Sequence, residues 1–243
     1  MPCFHPREIC VNKPKLVYSW TKMSDGSIKR SKKPLGACAK YYISVPCGHC
    51  PACLALQQSQ WSFRIEQEAL FGGHSSSLFV TFTYDNEHLP SDYGLHKEEM
   101  QKYLHDLRQN IDRNYPVADG EPKYLVRYYI CGEYGSKRGR PHFHAILFFS
   151  RPIDWRYIQS SWNKGIVDIR EFSSARAGYV AKYSVKQLEL DYEGRPRPFH
   201  MQSQGLGKCF LNGRTISSLR FNGYYTNVSG RKVKLPRYYL DKP

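Results

Sequence analysis

Apolar residues after Cys53 recur at helical spacing. Leu54, Trp61, Ile65 and Ala69 fall near one face, and Gly72-Gly73 closes the segment. Ser77 to Tyr84 is β-branched and aromatic, the composition of a strand. A loop beginning at Asp85-Asn86 runs through Pro90 and Gly94. Met100, Leu104, Leu107 and Ile111 then mark an amphipathic helix. Two strands are predicted at about 123–132 and 142–149. A short helix is predicted around Ile153, Tyr157, Ile158 and Trp162, and a further strand over Ile166-Val167-Asp168-Ile169. Ser173 or Ser174 is placed to cap a helix that follows. The order β-α-β-β-α-β plus a helix is the split ferredoxin-like pattern. It predicts an α+β fold, an antiparallel sheet with helices on one face, whose central strands need not be sequence neighbours.

The flanks read differently. Residues 1–53 are rich in Lys, Pro, Gly and Ser, with a turn at Ser24-Asp25-Gly26-Ser27. The basic run Lys29-Arg30-Ser31-Lys32-Lys33 reads as a solvated loop or a DNA contact. Beyond Leu190 the texture turns to Pro, Arg, Gly and Tyr, with one strand pair expected between 224–228 and 232–235. The chain thus divides into a basic, Cys-rich N-terminal extension (1–53), a core (54–190) and a C-terminal extension (191–243).

Charge narrows the partners. The 243 residues hold 36 Lys+Arg against 21 Asp+Glu, a formal net charge of +15, which favours polyanions. Nineteen tyrosines favour nucleic acid over an anionic membrane, since rings stack on unpaired bases. No apolar run of about 18 residues exists, so no transmembrane helix is expected. The start, Met1 to Arg7, lacks the apolar stretch of a signal peptide. A cytoplasmic location keeps thiols reduced. Cys47, Cys50 and Cys53, spaced C-x-x-C-x-x-C, then suggest a structural Zn²⁺ site. The fourth ligand is open among Cys3, Cys10, Cys38 and His49, with Cys3 preferred.

The densest chemistry lies between Gly132 and Phe149. His142 and His144 alternate on a strand and so share a face. The basic, turn-rich segment from Tyr134 to Pro141 folds this strand back on its predecessor and brings Glu133 beside the histidines. Two imidazoles and a carboxylate make half a coordination sphere, with positions left for substrate oxygens. Glu171 is the competing carboxylate. Tyr179 and Tyr183 stand at i and i+4 and share a helix face. Lys182 and Lys186 each follow a tyrosine by three residues, and Lys137, Arg138 and Arg140 line the hairpin loop.

These motifs resemble those of the HUH endonucleases, most closely the rolling-circle replication initiators of microviruses (gokushovirus-like single-stranded DNA phages). Phe79-Val80-Thr81-Phe82-Thr83-Tyr84 is similar to the first motif, Pro141-His142-Phe143-His144-Ala145-Ile146-Leu147 to the metal-binding second motif, and Tyr179 to Lys186 to the two-tyrosine motif. Gly132-Glu133 resembles the site of the acidic ligand. The cysteine cluster and the helix holding Trp61 resemble the same subgroup. No Walker A loop is present, so unwinding is expected to fall to a host helicase, with a host polymerase extending the nicked strand.

The resemblance implies a tyrosine attacking a DNA phosphate, leaving a 5′-phosphotyrosine and a free 3′-hydroxyl. It implies Mg²⁺ or Mn²⁺ on Glu133, His142 and His144, with Lys182 or Lys186 steadying the phosphate and Lys137, Arg138 and Arg140 gripping the single-stranded origin. Other classes fit the residues less fully. They are a plasmid relaxase or single-strand transposase, a two-histidine, one-carboxylate oxygenase, and a zinc-stabilised single-strand DNA binder without catalysis.

Overall fold

The computed structural model describes residues 3–11, 16–34, 41–117, 119, 123–135, 139–186, 194–211, 224–226 and 232–240. Two compact units are present, Met1–Cys53 and Leu54–Pro243.

The first unit contains two antiparallel ladders. β1 (Arg7–Val11) pairs with β4 (Tyr41–Val45), and β2 (Leu16–Lys22) with β3 (Ile28–Pro34). The β2–β3 connection contains the expected turn. Asp25 Oδ1 accepts from the Ser27 amide at 2.8 Å and from its hydroxyl at 2.6 Å. The run Lys29–Lys33, read as a solvated loop or a DNA contact, forms most of strand β3.

The second unit is built on a five-stranded antiparallel sheet. After α1 (Pro51–Phe71) come β5 (Ser76–Tyr84), α2 (Lys97–Asn114), β6 (Val126–Tyr134), β7 (Pro141–Phe149), α3 (Trp155–Ser160), β8 (Gly165–Glu171) and α4 (Ser174–Lys186). A short strand, β9 (His200–Gln202), follows. The sheet order is β8-β5-β7-β6-β9, so the central pair β5 and β7 are not consecutive, as the split pattern requires. Ser173 Oγ accepts from the Arg176 amide at 3.3 Å and supplies the N-terminal cap of α4. β10 (Tyr224–Thr226) and β11 (Lys232–Lys234) form the expected late pair.

Helices cover both faces of the sheet, which corrects the expectation of one. On one face Met100, Leu104, Leu107 and Ile111 of α2 and Ile158 of α3 pack on Val80, Phe82, Phe143, Ala145 and Leu147. On the other, Ile65 of α1 and Ala177 and Val180 of α4 pack on Phe79, Tyr129, Cys131, Ile146 and Phe148. Ala145 through Phe149 are therefore all fully buried. A strand covered on both sides carries a continuous apolar run rather than an alternation.

The C-terminal segment is stitched to this unit. β9 pairs with β6, and Gly207 brings the chain against α1. Gly207 sits at φ +77°, and a Cβ there would come within 2.7 Å of the Arg64 carbonyl oxygen, so glycine is required. Its amide donates to Glu68 Oε2 at 2.6 Å.

Candidate active site

The β6–β7 ladder places Glu133 directly opposite His142, and Cys131 opposite His144. All three ligand candidates face the side of the sheet covered by α1 and α4. Glu133 Oε2 lies 3.0 Å from His144 Nε2 and 3.3 Å from His142 Nε2. Glu133 and His144 are buried, and His142 is partly so. The competing Glu171 is exposed at the end of β8, opposite Leu78, and is not part of this group.

Hydrogen bonds orient both rings. His142 Nδ1 lies 3.2 Å from the Arg140 carbonyl oxygen, which only accepts, so Nδ1 carries the proton. In the neutral ring Nε2 then faces Glu133 with a lone pair. A bound cation satisfies that arrangement. His144 Nδ1 lies 3.1 Å from the Thr81 hydroxyl, which can serve either tautomer. Outer partners of this kind are the usual means of aiming metal-ligating histidines. Burial pushes the Glu133 carboxyl up, but hydrogen bonds and charge from His142 and His144 outweigh it, and the net direction is down. Burial, more than its partners, holds His144 below the usual histidine value. An octahedral ion with bonds of about 2.1 Å separates neighbouring ligands by about 3.0 Å. The donor set at 3.0 and 3.3 Å fits such an ion.

Helix α4 carries the tyrosines over this group. The rings of Tyr179 and Tyr183 each have their centroid 5.3 Å from that of His144, and they lie 4.5 Å from one another. Tyr179 is exposed and also meets Phe79 edge-on at 6.0 Å, whereas Tyr183 is partly buried. Burial first, then the Tyr179 hydrogen bond and the charge of Glu133, pushes the Tyr183 phenol far above its ordinary value.

The cationic candidates are more dispersed. Lys182 is exposed on α4. The Lys186 side chain, and Lys137 and Arg138, lie outside the described residues. Arg140 is engaged structurally, donating to Asn86 Oδ1 at 3.0 Å and to the Tyr84 carbonyl at 2.8 Å. Sequence reasoning found no residue with a role in the first motif. The register supplies one: Thr81 stands opposite His144 across β5 and β7. Its signal is parity, since Phe79, Thr81 and Thr83 alternate onto the ligand face.

A second cluster lies in the first unit. The sulfurs of Cys3, Cys47, Cys50 and Cys53 all fall within 4.8 Å of one another. Cys3 is thus brought to the other three across 44 residues. Cys3 and Cys50 sulfurs are 3.7 Å apart, and those of Cys47 and Cys53 3.9 Å. Four thiolates around zinc at about 2.3 Å have edges of about 3.8 Å. Backbone amides donate to two of the sulfurs, Cys47 N to Cys3 and Cys50 N to Cys47, each at 3.3 Å. A backbone hydrogen bond from Phe4 pulls the Cys50 thiol down to about 6.

Among the described residues no helix is long and apolar enough to cross a membrane. Residues 77–188, which run from β5 to the end of α4, match the family model for replication-associated protein ORF2/G2P. Replication-associated protein VP4 of Bdellovibrio phage phiMH2K is 26% identical over 221 residues, covering 82% of this chain and 67% of the relative. Replication-associated protein ORF2 of Spiroplasma virus 4 is 27% identical over 268 aligned residues, covering 98% and 79%. Replication-associated protein ORF4 of Chlamydia phage 1 is 26% identical over 227 residues, covering 83% of this chain and 54% of the relative. No solved structure matches the chain. The family match, spanning the histidines, the carboxylate and both tyrosines, and the three phage relatives support reading this chain as a microvirus-like replication initiator.

Proposed function

We propose that this protein is an HUH endonuclease that nicks and rejoins single-stranded DNA at a replication origin, through a 5′-phosphotyrosine, in the cytoplasm of a bacterial host. The observation that carries the reading is the meeting of two tyrosine rings and a Glu-His-His donor set over one imidazole, with both rings 5.3 Å from His144.

Glu133, His142 and His144 would hold Mg²⁺ or Mn²⁺. When bound, such an ion polarises the scissile phosphate and stabilises charge on the leaving oxygen. The chain's own residues do the rest. One phenol oxygen bonds to phosphorus, and the bond to the 3′-oxygen breaks. The phenol proton passes to solvent and the 3′-oxygen takes one up, leaving a 5′-phosphotyrosine and a 3′-hydroxyl. The covalent link conserves the phosphodiester for rejoining. Tyr183, whose phenol is held protonated by burial, is the more sheltered nucleophile, and Tyr179 the more open one. Lys182 and Lys186 steady the phosphate from α4. Lys137, Arg138 and Arg140 add positive charge where the strand enters. Two nucleophiles on one helix face allow alternation. One stays joined to the old 5′ end while the other cuts the regenerated origin, and the released 3′-hydroxyl then closes the circle. A host helicase and polymerase would supply unwinding and synthesis.

Structural Zn²⁺ on Cys3, Cys47, Cys50 and Cys53 completes the proposal, supported by sulfur spacings close to a tetrahedral edge.

The test is adduct mapping. Wild type, Tyr179→Phe, Tyr183→Phe and the double variant are incubated with phage origin DNA and Mn²⁺, and denaturant-stable adducts are located by peptide mass. Each single variant should form an adduct on its remaining tyrosine, and the double variant none. A wild type without any adduct overturns the enzyme reading. One single variant as inactive as the double overturns alternation alone.

A further inference from the structure

The β9 edge of the sheet carries an aromatic arrangement that the proposed nicking chemistry leaves unused. His200, the first residue of β9, pairs with Cys131, which on its other side pairs with His144. Directly paired residues share a sheet face, so His144, Cys131 and His200 form one row on the face bearing the metal ligands. Two strand spacings put His200 about 10 Å from His144.

The His200 residue is exposed, yet its ring is held on two sides. It stacks on Tyr129 with centroids 5.9 Å apart and planes 14° from parallel. Trp61 meets it edge-on at 5.3 Å and also packs on Tyr129 at 5.1 Å. Behind Trp61 the Arg64 guanidinium lies 4.3 Å from the indole and 3.7 Å from the Tyr238 ring. Arg64 is fixed in turn by donating Nε and Nη2 to the Leu206 carbonyl, at 3.1 and 2.9 Å. Tyr129 is fully buried, so the stack is anchored in the core. Burial first, then Lys97, holds the imidazole below the usual histidine value, which favours a neutral ring at pH 7. A surface ring normally loses rotamer freedom when something stacks on it. Here the fold has already restricted that freedom.

We propose that His200, backed by Tyr129 and Trp61, is a stacking platform for one unpaired base of the DNA strand held at the metal centre. The proposal rests on the reading of the chain as a single-strand DNA enzyme. Every base offers a π-face, so the contact tolerates any sequence. It holds the strand about 10 Å from the chemistry, across the sheet from β7 to β9. A neutral imidazole on an exposed residue, in a chain of net charge +15, suits a base whose phosphates are gripped by cations elsewhere.

The experiment compares two fluorescent probes of equal length, oligothymidylate and an oligomer of abasic sites, by anisotropy on the full chain. Stacking on one base is worth roughly 1–3 kcal/mol, about a 5- to 150-fold change in affinity. His200→Ala should weaken oligothymidylate binding by that factor and leave the abasic probe unchanged. His200→Phe, which keeps a ring, should bind both probes as wild type does. Equal affinity of wild type and His200→Ala for oligothymidylate overturns the platform, as does an equal loss on both probes. Should His200→Ala melt below the wild type, the His200→Phe and His200→Leu pair decides, since both are apolar and only one has a ring. A wild type that binds both probes but forms no adduct with origin DNA and Mn²⁺ refutes the nicking reading and leaves this comparison standing.

Discussion

Glu68 gives the sharpest stability prediction, because its surroundings are fully specified. The carboxylate is 2% exposed on α1. It accepts from Arg127 Nε at 2.5 Å and from the Gly207 amide at 2.6 Å, and lies 2.9 Å from His74 Nε2. Burial alone would raise its pKa. The bonds from His74, Arg127 and Gly207 outweigh burial and hold the carboxyl at about 2, against an ordinary 4.5. That depression corresponds to about 3 kcal/mol of stability at neutral pH. Because the shift is downward, the contribution is complete above pH 4.5 and is lost as pH falls from there toward about 2. Glu68→Gln mimics the protonated carboxyl. At 2–4 °C per kcal/mol for a unit of this size, the variant should melt about 6–12 °C below wild type at neutral pH. Thermal unfolding followed by near-ultraviolet circular dichroism, on both proteins across the acid range, reads the difference. Other carboxyls titrate alike in the two proteins, so the gap isolates Glu68. A gap under about 2 °C at neutral pH, or one that does not narrow with acid, would refute the reasoning.

Three further outcomes are expected. His142→Ala combined with His144→Ala should abolish metal-dependent adduct formation while single-strand affinity by anisotropy stays within a few-fold; undiminished metal-dependent cleavage would sink the donor assignment. Thr81→Val removes the hydroxyl 3.1 Å from His144 Nδ1, and should lower Mn²⁺ affinity by calorimetry about 10- to 100-fold without changing the fold; equal affinity would deny Thr81 its orienting role. Cys50→Ser should lose bound zinc by elemental analysis; full zinc retention, or none in the wild type, would rule the four-thiolate site out.

The order of elements was legible because each depends on spacing within a few turns or one hairpin. Met100, Leu104, Leu107 and Ile111 are separated by single helical turns, and all four are buried. Glu133 and His142 are nine residues apart in one hairpin, so local register alone sets them opposite each other. The two tyrosines needed only the period of a helix. What escaped depends on chain closure over long distances. Thr81 reaches His144 across 63 residues. β9 has three residues and no pattern of its own; it is a strand because β6 offers it an edge. The second helical layer was signalled by the unbroken run Ala145 to Phe149, which alternation would have interrupted had one face met water. Glu68 and His200 had no local mark. Apart from the nearby His74, their partners are gathered from α1, β6 and the segment after residue 194, and only tertiary packing brings those segments within a hydrogen bond or a ring's width of one another.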